Sequence, residues 1–234
     1  MENGNLQFKG GNPGAVQFGN FINYYHFHPP DERIKLLPKT IWNSNKACVA
    51  LDIGCNTGDL TSALHVFLKN NVTRDCRILG VDIDPVLIRR AEETNKSDNI
   101  SFRCINFMDQ NSREKIIKEY LISNKLDSFN VVFCFSITMW IHLNNGDLGL
   151  KTFLKEVSSI SEILIIEPQP WKCYKTAIRR MKKCNFYFPL FSKLQIRENV
   201  EQEIEKFLTF ECDMKKIVET NRTKWERKLL VFRR

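Results

Sequence analysis

The feature that most constrains the fold of this chain is a regular alternation of apolar runs with amphipathic segments. The run FNVVFCF at 129–135 is almost wholly apolar, the pattern of a parallel strand covered by helices on both faces. Further strands are predicted at 47–53, 77–83, 100–107 and 163–167, and helices at 58–69, 85–94, 112–123, 148–160 and 171–184. Five strand–helix units in succession predict an α/β fold, a mostly parallel, doubly wound sheet with right-handed crossovers.

The two ends of the chain depart from this alternation. A charged helix is predicted near 198–207, and segments 214–219 and 228–232 are predicted to form an antiparallel hairpin that closes the sheet. Residues 1–17 are rich in Gly and Asn and are predicted to be a mobile tail. The aromatic segment 18–38, with a short helix over 31–37, is predicted to be a lid on one domain, 18–234.

The charge balance favours a polyanionic partner. Subtracting 27 acidic residues from 35 basic ones gives a formal net charge of +8, with a pI near 9.1. Nucleic acid is the first candidate and an acidic membrane the second. The alternative is a protein whose Lys-rich faces are only solvated. There is no apolar run of 18 residues and no secretory leader pattern, so we expect no membrane span and a cytoplasmic protein, with the nucleus as the alternative. We also expect a monomer.

The eight cysteines are scattered and contain no C-x-x-C pair, so we expect reduced thiols. Cys48, Cys104 and Cys134 lie in apolar runs and are predicted to be buried. The four histidines have no metal-ligand spacing, so no metal site is predicted.

Two strand-end loops predict the cofactor. In LDIGCNTGDL at 51–60, Gly54 permits a sharp turn after the strand, and Gly58 permits the next helix to pack closely against the strand. The spacing of these two glycines differs from the glycine spacings of dinucleotide-binding and P-loop sites. Such a loop suits a nucleoside without phosphates, with Asp52 available to an ammonium group. Asp82 ends the next strand, 24 residues after Gly58, where it can accept both ribose hydroxyls, whereas Asp84 precedes Pro85 as a helix N-cap. Together the loops predict S-adenosylmethionine.

The loops after the fourth and fifth strands, at 136–147 and 168–175, should reach the same edge of the sheet. They carry Trp, His, Gln, Lys and Tyr side chains, which are unusual in simple connections. For His142 the alternative is a histidine satisfied inside the fold.

Several longer strings resemble one family in order and spacing. They are FGNFINYYHFHPP at 18–30, LDIGCNTGDL at 51–60, DIDPVLIRRAE at 82–92, SITMWIHLNNGDLGL at 136–150 and EPQPWKCYK at 167–175. The chain is similar to the bicoid-interacting-protein-three family of S-adenosylmethionine-dependent RNA methyltransferases. The resemblance implies a single-domain Rossmann-like class I methyltransferase fold. It favours the branch that methylates the 5′-monophosphate of histidine tRNA and precursor microRNA. Capping of a 5′-triphosphate, or a non-catalytic RNA-binding module, are the alternatives.

The resemblance also implies a set of cofactor residues. They are Arg33, Asn56, Asp82, Asn106, Phe107, Phe135 and Ser136. Arg33 is expected on the methionine carboxylate and Phe107 beside the adenine ring. Related enzymes carry Asp at the position of Asn106, whose amide oxygen can still accept a hydrogen bond from the adenine amino group.

Methyl transfer to a phosphate needs groups that hold the 5′-phosphate. The candidates are Lys172, His142, Gln169 and Tyr25, with packing or helix capping as the alternative role. On the helix that follows, Lys175, Arg179 and Lys182 continue from Lys172 as one cationic stripe that is predicted to follow the RNA backbone. The apolar face of that helix is predicted to contain Tyr174, Ile178 and Met181.

Overall fold

The computed structural model describes residues 16–42 and 47–234. The sheet has seven strands, β1 (Cys48–Ile53), β2 (Cys76–Asp82), β3 (Ile100–Cys104), β4 (Phe129–Phe135), β5 (Ser161–Glu167), β6 (Lys215–Glu219) and β7 (Leu230–Arg233). The spatial order is β3-β2-β1-β4-β5-β7-β6. The first five strands are parallel, and β7 runs antiparallel to both β5 and β6. The predicted α/β fold with a closing hairpin is confirmed.

Helices cover both faces of this sheet. They are α1 (Tyr24–Phe27), α2 (Pro30–Ile34), α3 (Asp59–Asn71), α4 (Pro85–Thr94), α5 (Gln110–Ser123), α6 (Thr138–Ser159), α7 (Trp171–Lys183) and α8 (Val200–Phe210). None of the helices in residues 16–42 and 47–234 is long and apolar enough to cross a membrane.

Strand β4 lies at the centre of the core. Val132 and Cys134 belong to the cluster on one face of the sheet, whereas Val131, Phe133 and Phe135 belong to the cluster on the other. Burial on both faces explains why this strand lacks polar alternation.

The loop predicted at 136–147 is mostly wrong, because α6 begins at Thr138 and leaves only the first two residues of that loop outside the helix. Only Gly146 within α6 departs from helical geometry, with φ of 72°. Gly146 therefore forms a kink inside one long element and does not end the helix.

The eight cysteines, all in the described ranges, are free thiols. Cys48 and Cys134 are buried as predicted, but Cys104 is exposed. Cys104 ends β3, the strand at the outer edge of the sheet, where no further strand covers it. The predicted strand is also too long at this end, since β3 stops at Cys104 and Asn106 and Phe107 lie in the loop after it.

The predicted tail, 1–17, lies largely outside the described residues, which begin at Val16. At its end the boundary is wrong by two residues. Val16 is buried, and Gln17 exchanges hydrogen bonds with Asn144: its Nε2 donates to Asn144 Oδ1 at 3.1 Å, and its carbonyl accepts from Asn144 Nδ2 at 2.9 Å. The packed part of the chain therefore includes Val16.

Candidate active site

The loop between β1 and α3 turns as the two glycines predict. Gly54 and Gly58 both have φ of 80°, which costs little without a side chain. A Cβ on Gly54 would lie 2.3 Å from Ile137 Cγ2, and one on Gly58 would lie 2.7 Å from Phe102 Cζ. The sharp turn at Gly54 and the close helix at Gly58 are confirmed.

Asp82 stands at the end of β2 with its carboxylate fixed by backbone donors. Its Oδ2 accepts from Asn56 N at 2.9 Å and its Oδ1 accepts from Asp84 N at 3.0 Å. Burial raises the pKa of Asp82 to about 6, and the backbone donors oppose that rise. Asp84 is the N-cap of α4, since its Oδ1 accepts from Val86 N at 2.8 Å, as predicted. The Asp82 carboxylate is thus held in one orientation.

A cavity of about 130 Å³, the smaller cavity, lies at these strand ends. Most of the predicted cofactor residues line it: Gly54, Asn56, Asp82, Asn106, Phe107, Phe135 and Ser136. The set combines a buried acid, amide groups and aromatic rings, which are the groups that a ribose and an adenine ring require. The donor set therefore fits a nucleoside cofactor, although the volume is below that of most ligand pockets.

The volume is small because the aromatic segment lies across the cavity. Asn20 Nδ2 donates to Asp84 Oδ2 at 2.8 Å, and Asn56 Nδ2 donates to the Phe21 carbonyl at 2.9 Å. Gly19 lies against Trp140, where a Cβ would come within 2.3 Å of the indole Nε1. These contacts hold the segment over the end of β2, in the wall of the smaller cavity.

Asp52 does not lie in this cavity. It is buried within β1, and its Oδ2 accepts from Thr61 Oγ1 of α3 at 2.6 Å. Burial raises the pKa of Asp52 to about 7. The side chain therefore joins β1 to α3 and does not face a cofactor ammonium group, which corrects the expectation for this residue.

Arg33 lies in a buried polar cluster with Glu167. Its Nη2 is 2.8 Å from Glu167 Oε2, and both side chains are fully buried. Arg33 Nη2 also donates to Tyr24 Oη at 2.7 Å and to Ser136 Oγ at 3.0 Å. Burial raises the pKa of Glu167, but the nearby Arg33 and Arg227 outweigh it and hold that pKa below its usual value. Arg33 contacts residues that line the smaller cavity without lining it, so its role toward a carboxylate stays a prediction.

A second cavity of about 730 Å³, the larger cavity, adjoins the first, and both have Tyr24, Ser136 and Trp140 in their walls. Aromatic side chains from the N-terminal segment, Phe21, Phe27 and His28, form one side. Basic side chains of α7 form the other. The volume is within the range of ligand pockets, and its aromatic and cationic walls suit a nucleobase and a phosphate.

Two of the four predicted phosphate-binding residues line the larger cavity. Lys172 is exposed in the first turn of α7 and forms an ion pair with Glu226. Gln169 is buried, and its Oε1 accepts from Met139 N at 3.0 Å while its Nε2 donates to the Ser136 carbonyl. Gln169 thereby fixes the backbone of Ser136. This is a packing role, which was the alternative to phosphate binding for this residue.

The other two candidates lie apart from the cavities. His142 is fully buried, with Nδ1 3.0 Å from Tyr174 Oη and Nε2 2.8 Å from Asp147 Oδ1. Burial lowers the pKa of this ring, which suits a neutral histidine satisfied inside the fold. Tyr25 donates to the Cys55 carbonyl at 3.1 Å. The neighbouring Tyr24, and not Tyr25, lines both cavities.

The basic stripe of α7 reaches the larger cavity only in part. Lys175 and Arg179 line it, together with Arg180, whereas Lys182 is exposed elsewhere on the helix. Of the predicted apolar face, Tyr174 and Met181 are buried, Ile178 is only partly buried, and Ala177 completes the buried face. The cavity lies beside the apolar face of α7, so Arg180 also lines it, although Arg180 was not part of the predicted cationic stripe.

Sequence reasoning also missed Glu167 and Arg227. Glu167 ends the apolar strand β5, and an acid at that place is a signal that could have pointed to it. Arg227 precedes β7, and its side chain contacts Ser136, 91 residues earlier in the chain. No local pattern marks such a contact.

The strand order and the nucleoside-type loops define a Rossmann-like class I methyltransferase fold. Similar solved structures include magnesium protoporphyrin IX methyltransferase from Synechocystis PCC 6803, with a TM-score of 0.56 at 13% identity, covering 91% of this chain and 84% of that one. The N-methyltransferase NodS from Bradyrhizobium japonicum WM9 has a TM-score of 0.55 at 15% identity, covering 88% and 87%. At these identities the likeness establishes the fold.

Sequence comparison gives the family. The model of bicoid-interacting protein 3 matches residues 129–234, and a general methyltransferase domain matches 51–160. The chain is 42% identical to the RNA 5′-monophosphate methyltransferase of Homo sapiens over 238 residues, 94% of this chain and 82% of that protein. It is 40% identical to the pre-miRNA 5′-monophosphate methyltransferase of Xenopus laevis, over 94% and 93%. The chain belongs to the bicoid-interacting protein 3 family, which confirms the resemblance.

Proposed function

We propose that this protein is an S-adenosylmethionine-dependent methyltransferase that acts on an oxygen of the 5′-monophosphate of RNA. The observation that carries the proposal is the meeting of two unlike cavities at Tyr24, Ser136 and Trp140. The smaller has an acid and aromatic rings for a nucleoside, and the larger has aromatic and basic walls for an RNA end. Relatives named for methylation of the RNA 5′-monophosphate support the same reaction.

The smaller cavity is where this chain would hold the cofactor. Asp82 would accept hydrogen bonds from the ribose hydroxyls, and Asn106 and Phe107 would bind the adenine. Arg33 lies where it could meet a carboxylate, provided that it shares its guanidinium with Glu167. Bound S-adenosylmethionine would supply an electrophilic methyl group.

The chain has little proton chemistry to perform. A phosphate monoester is largely dianionic at pH 7 because its second pKa is about 6, so its oxygen needs no strong base. The residues around Tyr24 and Ser136 must instead hold that oxygen in line with the methyl group, at about 3–3.5 Å. Lys172, at the mouth of the larger cavity, supplies a positive charge toward the remaining oxygens.

A panel of acceptors tests the proposal. The protein is incubated with S-adenosylmethionine and one RNA sequence that carries a 5′-monophosphate, a 5′-hydroxyl or a 5′-triphosphate, and with a histone mixture. We expect a mass gain of one methyl group on the monophosphate RNA alone. A mass gain on the triphosphate RNA would favour the capping alternative. No mass gain on any acceptor would favour the non-catalytic alternative. Histidine tRNA and a precursor microRNA, compared in the same assay, would identify the substrate class within this proposal.

Cofactor affinity should depend on pH through Asp82. Ribose hydroxyls donate to the ionised carboxylate, so binding is strong above the pKa of about 6 and weakens as the pH falls through it. We expect affinity to fall about tenfold between about pH 7.5 and about pH 5, measured by calorimetry. Asp82→Asn should remove this dependence. Asp52→Asn, which removes a buried acid outside the cavity, should retain it; a pH dependence that follows Asp52 instead would contradict the assignment.

The basic wall of the larger cavity should carry a salt signature. Removing one protein–phosphate ion pair lowers the log–log salt slope of binding to single strands by roughly 0.7. Replacing Lys175, Arg179 and Arg180 with Gln should therefore flatten the slope for RNA binding by about two units. The control replaces Lys182 and Lys183, exposed at the end of the same helix, and should change the slope less. Equal slopes for both variants would mean that the wall is only a solvated surface.

A further inference from the structure

The loop between β6 and β7 brings a second arginine to the place where the two cavities meet. Arg227 Nη1 donates to Ser136 Oγ at 2.6 Å and is 3.4 Å from Tyr24 Oη. Within the part of the chain that the structure describes, its Nη2 donates only to a sulfur, Cys173 Sγ at 3.9 Å. Its Nε is buried and has no hydrogen-bond partner among the described residues. Most of the donor capacity of this guanidinium is therefore unused.

The loop holds Arg227 in place. Thr223 N donates to the Arg227 carbonyl at 2.7 Å, and Arg227 N donates to Thr223 Oγ1 at 3.2 Å. Trp225, between them, donates from Nε1 to Glu167 Oε1 at 3.2 Å. The backbone of Arg227 is thus fixed before any ligand arrives, which reduces the entropy cost of binding.

The cluster around Arg227 carries more positive than negative charge. Arg33 and Arg227 both contact Ser136 and Tyr24, but Glu167 pairs only with Arg33, and no carboxylate of residues 16–42 and 47–234 lies within 4.0 Å of Arg227. Burial, with the two guanidiniums, lowers the pKa of the adjacent His28 to about 4, so this ring is neutral. The cluster thus has two guanidiniums to one carboxylate, Glu167, in a partly desolvated site, and an anionic ligand would offset the excess positive charge.

The proposed reaction involves two anions, the carboxylate of the cofactor and the 5′-phosphate of the RNA. Arg227 is positioned to bind only the phosphate. It lines the larger cavity and not the smaller one. Arg33 lines neither cavity, whereas Arg227 would meet the end of an RNA that enters the larger one. A guanidinium can give two parallel hydrogen bonds to phosphate oxygens, which fixes orientation as well as charge.

We propose that Arg227 binds the oxygens of the RNA 5′-phosphate that do not react, and so makes the site selective for a phosphorylated 5′ end. This inference rests on the proposed function. Ser136 and Tyr24 hold the guanidinium from one side, and its remaining donors hold the phosphate. Arg227 would then determine the orientation of the attacking oxygen as well as the affinity for the RNA end.

The test compares the affinities of Arg227→Gln for one RNA with a 5′-monophosphate and with a 5′-hydroxyl. Hydrogen bonds to charged groups predict that the preference for the phosphorylated end falls about 10- to 100-fold. Arg227→Lys keeps the charge but loses the paired donors and should lie between Arg227→Gln and the unmodified protein. Lys224→Gln removes a charge from an exposed position of the same loop and should leave the preference unchanged.

Cofactor affinity, measured by calorimetry on each variant, separates the outcomes. The inference is supported if Arg227→Gln binds S-adenosylmethionine normally and loses the 5′-phosphate preference. It is overturned if a folded variant keeps that preference, or if cofactor affinity falls instead. If Arg227→Gln does not fold, Arg227→Lys decides, and an unchanged preference there overturns the inference. An unmodified protein that methylates no 5′-phosphorylated RNA would refute the proposed function itself, which is a different result from a retained preference in an active enzyme.

Discussion

Replacement of Asp82 by Ala is expected to abolish measurable binding of S-adenosylmethionine. The variant loses the acceptor for two ribose hydroxyls, which should cost roughly 3–5 kcal/mol, or an affinity loss of several hundred-fold or more. Two backbone donors, Asn56 N and Asp84 N, lose their partner as well. Calorimetry measures the affinity, and thermal unfolding establishes that the variant is folded.

Asp84→Asn is the matched control for this prediction. Asp84 lies two residues away and its oxygens are occupied by Val86 N and Asn20 Nδ2, and an Asn side chain can still cap α4. We expect this variant to bind the cofactor with an affinity close to that of the unmodified protein. Unchanged affinity in Asp82→Ala with a loss in Asp84→Asn would move the ribose contact to Asp84.

Deletion of residues 1–30 is expected to eliminate methyl transfer, whereas deletion of 1–15 should leave it near normal. The longer deletion removes Tyr24 from both cavities and Asn20 from its contact with Asp84. It also removes the aromatic side chains that can stack on a terminal base, each worth about 1–3 kcal/mol. The shorter deletion keeps Val16 and Gln17, which pack on the domain.

Point variants test the same prediction if the longer deletion does not fold. Phe21→Ala removes the ring that packs against Trp140, and Tyr24→Phe removes the hydroxyl that accepts from Arg33 and Arg227. We expect both to reduce kcat/KM for RNA, and His26→Ala, at an exposed position of the same segment, to have little effect. Full activity in the 1–30 deletion would refute the idea that the segment covers the reaction.

The sequence was sufficient for the sheet because burial determines the strand pattern. Strand β4, with both faces covered, had to be apolar throughout, and the glycines at 54 and 58 had to be small because Ile137 and Phe102 lie against them. Asp82 could be placed at the candidate cofactor site because the ends of parallel strands meet at one edge, whereas most of the other cofactor residues were implied by the family resemblance.

The polar cluster was not predictable in this way. Arg33 and Glu167 are 134 residues apart, and Arg227 reaches Ser136 from the far end of the chain. Neither contact has a sequence spacing that a helix or strand would impose, because both depend on how the N-terminal segment and the β6–β7 loop converge. Tyr25 and His142, two of the phosphate-binding candidates, lie outside both cavities for the same reason: residue type alone does not say which side chain faces a cavity.

The atom that receives the methyl group decides whether this protein modifies the 5′-phosphate. RNA with a 5′-monophosphate is treated with the protein and isotope-labelled S-adenosylmethionine and is then digested to nucleotides. The 5′-terminal nucleotide is isolated, and its mass is measured before and after treatment with a phosphomonoesterase. A methyl group on a phosphate oxygen converts the monoester to a diester, so we expect the labelled nucleotide to keep both its methyl group and its phosphate. A label on the base or ribose, with a phosphate that the phosphomonoesterase still removes, would refute methylation of the phosphate.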